Sequence, residues 1–361
     1  MKTPYLEINL SKLHNNAKKL TSLFGAKGIE ITGVTKSFLG APQIADCLFS
    51  AGIFSLGDSR IKNIIRMKEA GVQAPLSLIR TPSLCDIHDV VKYADVSFNT
   101  ELTVITALSK AAIKQKKIHD IILMVEMGDL REGILRRELG ATIEEVLQMK
   151  GVRLIGMGTN LACLNGVKPT KYNMDHLSRL ADTYERSYGI KFQVISGGNS
   201  ANFDWLFTND ILGRVNNIRL GEAILLGRET LSRKRIDGLH SDAITLVAEV
   251  IESKVKPSRP EGETGFDAFG NTPTFEDKGE MLRSIIALGK QDANVAGLTP
   301  MIDVDVLGAS SDHIVLDTTR TPLHVGDKIR FNIDYAALLS SMTSPYVNSV
   351  YIENSTQIAG G

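Results

Sequence analysis

Cysteine is scarce in this sequence. Cys47, Cys85 and Cys163 are the only three in 361 residues, scattered and odd in number. That excludes a disulfide framework and offers no metal-ligand spacing, so a reducing cytoplasm is the expected compartment. Net charge is also missing: 41 basic residues meet 41 acidic ones. No global field favours nucleic acid or an anionic membrane. No apolar run approaches the roughly 20 residues that span a bilayer. The opening "MKTPYLEINL" interrupts its apolar residues with Glu7 and Asn9, which makes a poor secretory signal. What remains is an ordinary soluble composition, 43% hydrophobic and 23% charged, with a length that predicts two domains.

The first two-thirds of the chain alternate two kinds of segment. Short β-branched runs stand at Ile31–Thr35, Ile53–Leu56, Leu76–Ile79, Asp95–Phe98, Ile121–Glu126, Val152–Met157, Phe192–Ile195 and Asn217–Leu220. Between most of them lie stretches of helical periodicity, at Leu10–Phe24, Pro42–Ala51, Ser59–Ala70, Glu101–Gln115, Ile143–Lys150 and Tyr172–Tyr188. Strand followed by helix, repeated, implies parallel strands with helical crossovers. Eight such units in about 220 residues predict a closed (β/α)8 barrel over residues 6–234. The stretch "NSANFDWLFTND" is the weakest helical element. Beyond residue 235 the pattern changes to "AITLVAEVIESKVK", "SIIALGK", "MIDVDVLG", "HIVLD", "DKIRFNI" and "YVNSVYI", parted by Gly, Pro and Asp. This reads as a mostly antiparallel β domain over 235–361, to which residues 1–5 can attach. A turn is expected around Tyr335–Ser341, and a long polar loop covers 257–280.

Active sites of (β/α)8 barrels lie at the carboxyl ends of the strands. Reading only those ends gives Lys36, Asp58, Arg131, Thr159, Asn160, the turn "SGGNS" and "RLGE". Taken alone, Lys36 in "ITGVTKSFLG" is a buried stem whose head reaches solvent. "SGGNS" alone is a turn, though its amides and the Ser196 and Ser200 hydroxyls suit a phosphate. Together, a strand-end amine and a phosphate cradle are the two anchors of pyridoxal phosphate, whose aldehyde and phosphate are held at opposite ends.

Several motifs then resemble, in order, those of the alanine racemase family of fold type III pyridoxal-phosphate enzymes. "VTKSFLG" resembles the family's cofactor-lysine segment, which gives Lys36 that role. "VEMGDLREG" resembles "VDTGMxRxG" and places Arg131 near the cofactor's phenolic oxygen and the substrate carboxylate. "GMGTNLA" is similar to "GxxTHxA", with Asn160 at the histidine position. "SGGNSAN" resembles "HxANSA", with Ser196 in place of histidine, Gly197 in the turn and Ser200 on the phosphate. "IRLGEAI" resembles "RPGIxLYG", so Arg219 faces the pyridine nitrogen while Gly221 and Glu222 offer amides to the phosphate. "TSPYV" puts Tyr346 where the family has a phosphate-binding tyrosine.

The family's second base is a tyrosine from the partner subunit. Here "TGFDAFGNTP" has Phe266 and Phe269 instead, and Lys290 stands at the pocket tyrosine of "GYADG". The candidates for the opposite face are Asp267, Ser311, Asp312, His313 and Tyr346. "GKQDA" and "GASSDH" look most like the ornithine or predicted amino-acid racemase branch. The resemblance therefore implies a homodimeric racemase of a basic amino acid, with Asp312 and Asp292 as candidate partners for the terminal ammonium. A decarboxylase on the same fold is the alternative.

Overall fold

The structure, a computed structural model, describes residues 1–272 and 274–353. It contains two compact units, Lys12–His240 and a second formed by Met1–Ser11 with the chain from Ser241 onward. The first strand, β1 (Tyr5–Asn9), lies in the second unit. Residues 6–11, expected at the start of the barrel, are therefore part of the β unit. Their partners lie some 240 positions away, with Tyr5 opposite Val247, a pairing that no local pattern announces.

In the first unit β2 (Glu30–Val34), β3 (Ser55–Asp58), β4 (Leu76–Leu78), β5 (Val96–Asn99), β6 (His119–Met124), β7 (Val152–Gly158), β8 (Val194–Ser196) and β9 (Asn217–Leu220) form a closed barrel in chain order. The strands are parallel, and β9 closes on β2 with Arg219 opposite Thr32. The expected (β/α)8 barrel is the observed one. Phe98, Ile122, Met124 and Ile155 pack as one buried cluster from β5, β6 and β7.

The crossover helices follow local rules. Lys171–Tyr188 starts on a capping box between Thr170 and Asn173 and ends at Gly189 in the left-handed region, φ 64°. It buries Met174, Leu177 and Ala181, spaced as one helical face. Helix Ile87–Tyr93 was not expected. Its two turns are too short to show a period.

One of the barrel's buried titratable groups is a histidine. His119 is 3% exposed, and its Nε2 lies 2.9 Å from Ser97 Oγ, which also accepts from Asn99 Nδ2. Burial lowers its pKa from 6.5 to about 4, with Asp120 and Asp95 opposing. Above pH 6.5 both folded and unfolded chains carry a neutral imidazole. Below it only the unfolded chain takes the proton, so stability falls between pH 6.5 and about 4, by about 3 kcal/mol at most. Urea midpoints across that range should fall steeply for the wild type and less so for His119→Gln. Equal pH slopes would refute the assignment.

The second unit is a sheet ordered β12-β15-β10-β11-β14-β13, with β1 bridging β10 and β16. These strands are β10 (Ile244–Pro257), β11 (Glu280–Ile286), β12 (Leu298–Pro300), β13 (Asp305–Ala309), β14 (Ile314–Asp317), β15 (Lys328–Ile333) and β16 (Asn348–Ile352). All pairings are antiparallel except β1 with β16. The turn expected near Tyr335 is a helix, Tyr335–Thr343, whose N-terminus is capped by Asp334 accepting from the Ala337 amide at 2.8 Å. Residues 354–361 of the expected domain lie outside the described residues.

Candidate active site at the barrel mouth

Lys36 follows β2 directly, in a short 3-10 turn, Lys36–Phe38, that ends at left-handed Leu39, φ 55°. Its side chain is half-buried. Burial lowers the amine below the ordinary lysine value, as does Arg131, while Cys163, Asp58 and Glu132 pull the other way. The free amine is therefore more accessible than on a surface lysine.

Arg219 stands on the neighbouring strand β9 and is 5% exposed. Its Nη1 donates to Ser196 Oγ at 2.5 Å, and Nη2 donates to the Thr159 carbonyl at 2.7 Å and Asn160 Oδ1 at 3.1 Å. The guanidinium also lies 5.3 Å from the Phe98 ring centroid. Burial pushes its pKa down to about 10, which still leaves it charged at neutral pH. Ser196 passes the interaction on: its hydroxyl donates to Asn217 Oδ1 at 2.7 Å, and Asn217 Nδ2 donates to Thr32 Oγ1 at 3.0 Å. Thr32 and Ser55 hydroxyls share a further bond of 2.9 Å. All five residues are buried.

This network changes how two expected cofactor contacts work. The Ser196 hydroxyl is fully engaged between Arg219 and Asn217, so it acts on the guanidinium. The Gly197 amide donates to the Asn217 carbonyl at 2.9 Å, so it closes the β8–β9 register. Asn160 Oδ1 accepts from both Arg219 and Asn199 Nδ2, the latter at 3.0 Å, and so fixes one edge of the guanidinium.

The "SGGNS" turn itself needs glycine. Gly198 has φ 143°, and a Cβ there would come within 2.2 Å of Asn202 Oδ1. Ser200 Oγ accepts from the Ala223 amide at 3.3 Å. That contact sets the turn beside the short helix Glu222–Leu226, which begins after Gly221. Helix starts present amides without intrahelical acceptors. The Glu222 carboxylate, 8% exposed, is held by Arg233 Nη1 at 2.5 Å.

Arg131 lies in the loop after β6 and is ion-paired to Glu132, which holds its guanidinium further toward the charged form. Cys163 also touches this cation, and its sulfur accepts from Asn199 Nδ2 at 3.4 Å. Asp129, 1% exposed, staples the two loops together by accepting the Cys163 and Leu164 amides at 3.1 and 3.0 Å. Burial works against its charge, but those amides with Asn165 and Val167 hold its carboxyl below the usual range. Sequence reading gave no role to Cys163 or Asp129. Their signal was position: three residues past Asn160 and two before Arg131.

In the β unit, Asp312 and His313 form a pair, His313 Nδ1 to Asp312 Oδ1 at 2.8 Å, in the exposed turn between β13 and β14. That bond, with the Ser310 and Ser311 hydroxyls, holds the Asp312 carboxyl low. Tyr346 is 61% exposed in the turn after Tyr335–Thr343. Asp292 is 5% exposed and accepts the Gly289 amide at 3.0 Å, a turn-capping role. Asp267 likewise accepts the Phe269 and Asn271 amides, both at 2.8 Å. Trp205 is core, 2% exposed.

The barrel residues fit pyridoxal phosphate. A half-buried amine, a buried cationic donor on the adjoining strand, and Ser200 beside a helix start supply the partners that its aldehyde, ring and phosphate require.

Comparison with known proteins gives the same direction. The family model described as "Alanine racemase, N-terminal domain" matches residues 8–229. A lysine racemase from Thermotoga maritima is 41% identical over 350 residues, covering 96% of this chain and 98% of that protein. An ornithine racemase from Acetoanaerobium sticklandii is 39% identical over 348 residues, covering 95% and 98%. In fold, an alanine racemase from Clostridium difficile 630 superposes with a TM-score of 0.77 at 20% identity, over 98% of this chain and 97% of that one.

Proposed function

The chain belongs to the alanine racemase family, whose members are pyridoxal-phosphate enzymes, and on that premise we propose that it racemises a basic amino acid, ornithine or lysine. The observation that carries the reading is the buried Arg219 guanidinium beside the strand that delivers Lys36. When bound, the cofactor supplies an electron sink that makes the substrate Cα–H acidic. Lys36 would hold the cofactor's aldehyde carbon at rest and, once its amine is freed by the substrate amine, would move the proton at Cα on one face. Arg219 stays protonated, so it donates to the ring nitrogen and gives no proton up. A guanidinium at that position would thereby restrain side reactions that need a fully protonated ring. Ser200 and the amides at Gly221 and Glu222 would hold the phosphate. Arg131 holds the substrate carboxylate.

Racemisation needs a second proton-transfer group on the opposite face. The Asp312–His313 pair takes that role: the carboxylate orients the imidazole, as a base requires. It acts from the partner's β domain in a homodimer. Mixing Lys36→Ala with His313→Ala subunits should then restore about a quarter of wild-type activity, because a two-fold heterodimer regains one intact site. No recovery on mixing would place the second base elsewhere. The enzyme is cytoplasmic on this reading, in keeping with three free cysteines.

The decarboxylase alternative asks for a carboxylate at the ring nitrogen. Glu222 is already held by Arg233, which favours racemisation. A chiral assay over L-ornithine, L-lysine and L-alanine decides the matter. Conversion of a basic amino acid to its D form supports the reading, and release of carbon dioxide without D product overturns it.

A further inference from the structure

Asp58 ends β3 with no exposed surface. One carboxylate oxygen accepts from the Thr35 hydroxyl at 2.6 Å. The other accepts from the Arg60 amide at 2.8 Å and Asn63 Nδ2 at 3.0 Å. Thr35 is the residue before Lys36, and its amide donates to the Gly57 carbonyl at 2.9 Å. The far side of the lysine turn leans on the helix that follows β3, Ile61–Glu69. Gly40 has φ 61°, and a Cβ there would approach the Asn63 carbonyl to 2.9 Å. Arg66 Nη1 donates to the Leu39 carbonyl at 2.7 Å. One carboxylate thus ties the turn that carries Lys36 to the loop after β3.

A neutral amide would fill the same space without a charge to desolvate, and a buried carboxylate is unfavourable unless donors and a cation compensate it. Burial does raise the Asp58 carboxyl above its ordinary value, against Thr35, Arg60, Asn63 and Lys36. The groups acting on the Lys36 amine are Cys163, Arg131, Asp58 and Glu132. Glu132 is already paired with Arg131. Of the two carboxylates, Asp58 is the one whose charge is left for the amine, alongside the larger pull of Cys163.

We propose that Asp58 is the positioning residue of the Lys36 amine: it fixes the lysine turn against the next loop and adds a carboxylate charge that, with Cys163, opposes Arg131 at the amine. With that charge present, the amine keeps enough proton affinity to take a proton as well as give one. The inference rests on the racemase reading for its catalytic consequence alone.

Asp58→Asn separates charge from clamp. Its amide oxygen can keep the Arg60 and Asn63 donors, and its Nδ2 can donate to Thr35. The Thr35 hydroxyl then turns to the Gly57 carbonyl, already 3.3 Å away. Thr35→Val does the converse, removing the clamp and keeping the charge. The readout is acetylation of Lys36 by acetic anhydride in the full chain stripped of cofactor, followed by peptide mass spectrometry across pH. The labelling midpoint should fall by about one pH unit in Asp58→Asn and stay in place in Thr35→Val. In the holoenzyme the acid limb of racemisation should move by the same amount for Asp58→Asn. Coincident labelling profiles for wild type and Asp58→Asn overturn the proposal, as does an equal shift in Thr35→Val. A labelling shift in a protein that racemises nothing sinks the racemase reading and leaves Asp58 in its role. Racemisation without any shift does the reverse.

Discussion

Lys36→Ala should lower racemisation of ornithine or lysine by about a thousandfold or more, the scale on which a positioned proton-transfer group contributes. The amine is also the group that would hold the cofactor's aldehyde. Borohydride reduction of the loaded wild-type protein should therefore leave a pyridoxyl label on the peptide carrying Lys36, and none on the variant. Folding is not the obstacle: alanine removes a charge that burial disfavours, and the Asp58 carboxylate that loses its cation keeps its Thr35, Arg60 and Asn63 donors. The melting temperature should hold or rise. A variant that kept a tenth of the wild-type rate, or a label found on another lysine, would remove Lys36 from the reaction.

Arg219→Ala is the second large effect, and it has two parts. Structurally, a guanidinium that is 5% exposed and bonded to Ser196, Thr159 and Asn160 leaves acceptors unsatisfied. That should cost about 2–4 kcal/mol, or roughly 4–16 °C in melting temperature for a unit of this size. Chemically, on the proposed reading, the ring nitrogen would lose a donor that never accepts a proton. Racemisation should fall at least a hundredfold, by order of magnitude. Arg219→Glu carries the diagnostic result: a carboxylate favours the protonated ring, so conversion of the cofactor to its amine form, seen in the near-ultraviolet, should rise relative to racemisation. If that ratio matches the wild type, Arg219 does not address the ring nitrogen.

The barrel was legible because its strands are apolar, β-branched runs set off by glycine and polar turns. The elements that escaped had reasons to. "IHDVVKY" spans two turns, less than the window in which a helical period shows. "LTP" is a three-residue strand containing proline, defined wholly by its partner Lys328–Ile333. "YLEIN" reads well as a strand, but its neighbours lie at the other end of the chain. The site divides in the same way. Lys36, Arg131, Ser200 and Arg219 stand at strand ends, where topology directs attention. Thr32, Ser55, Ser196 and Asn217 meet only because the register sets β8, β9, β2 and β3 side by side. Nothing in the linear order joins them. Asp58 was visible at a strand end, yet its meaning comes from Thr35 across that register.

From Arg219 through Ser196 and Asn217 to Thr32, each donor points away from the guanidinium. Such a row has one orientation, and every member inherits it from the one before. Mutations along it should therefore be strongly epistatic. Ser196→Ala leaves Asn217 Oδ1 without its donor, so a following Asn217→Leu should cost far less than it does in the wild type. Double-mutant cycles between β8 and β2, whose side chains share no direct bond in the row, should still give coupling energies of about 1 kcal/mol. The consequence is that a bulkier residue at position 196 should be tolerated only together with a change at Asn217 or Thr32, so single and paired substitutions along the row should rank differently.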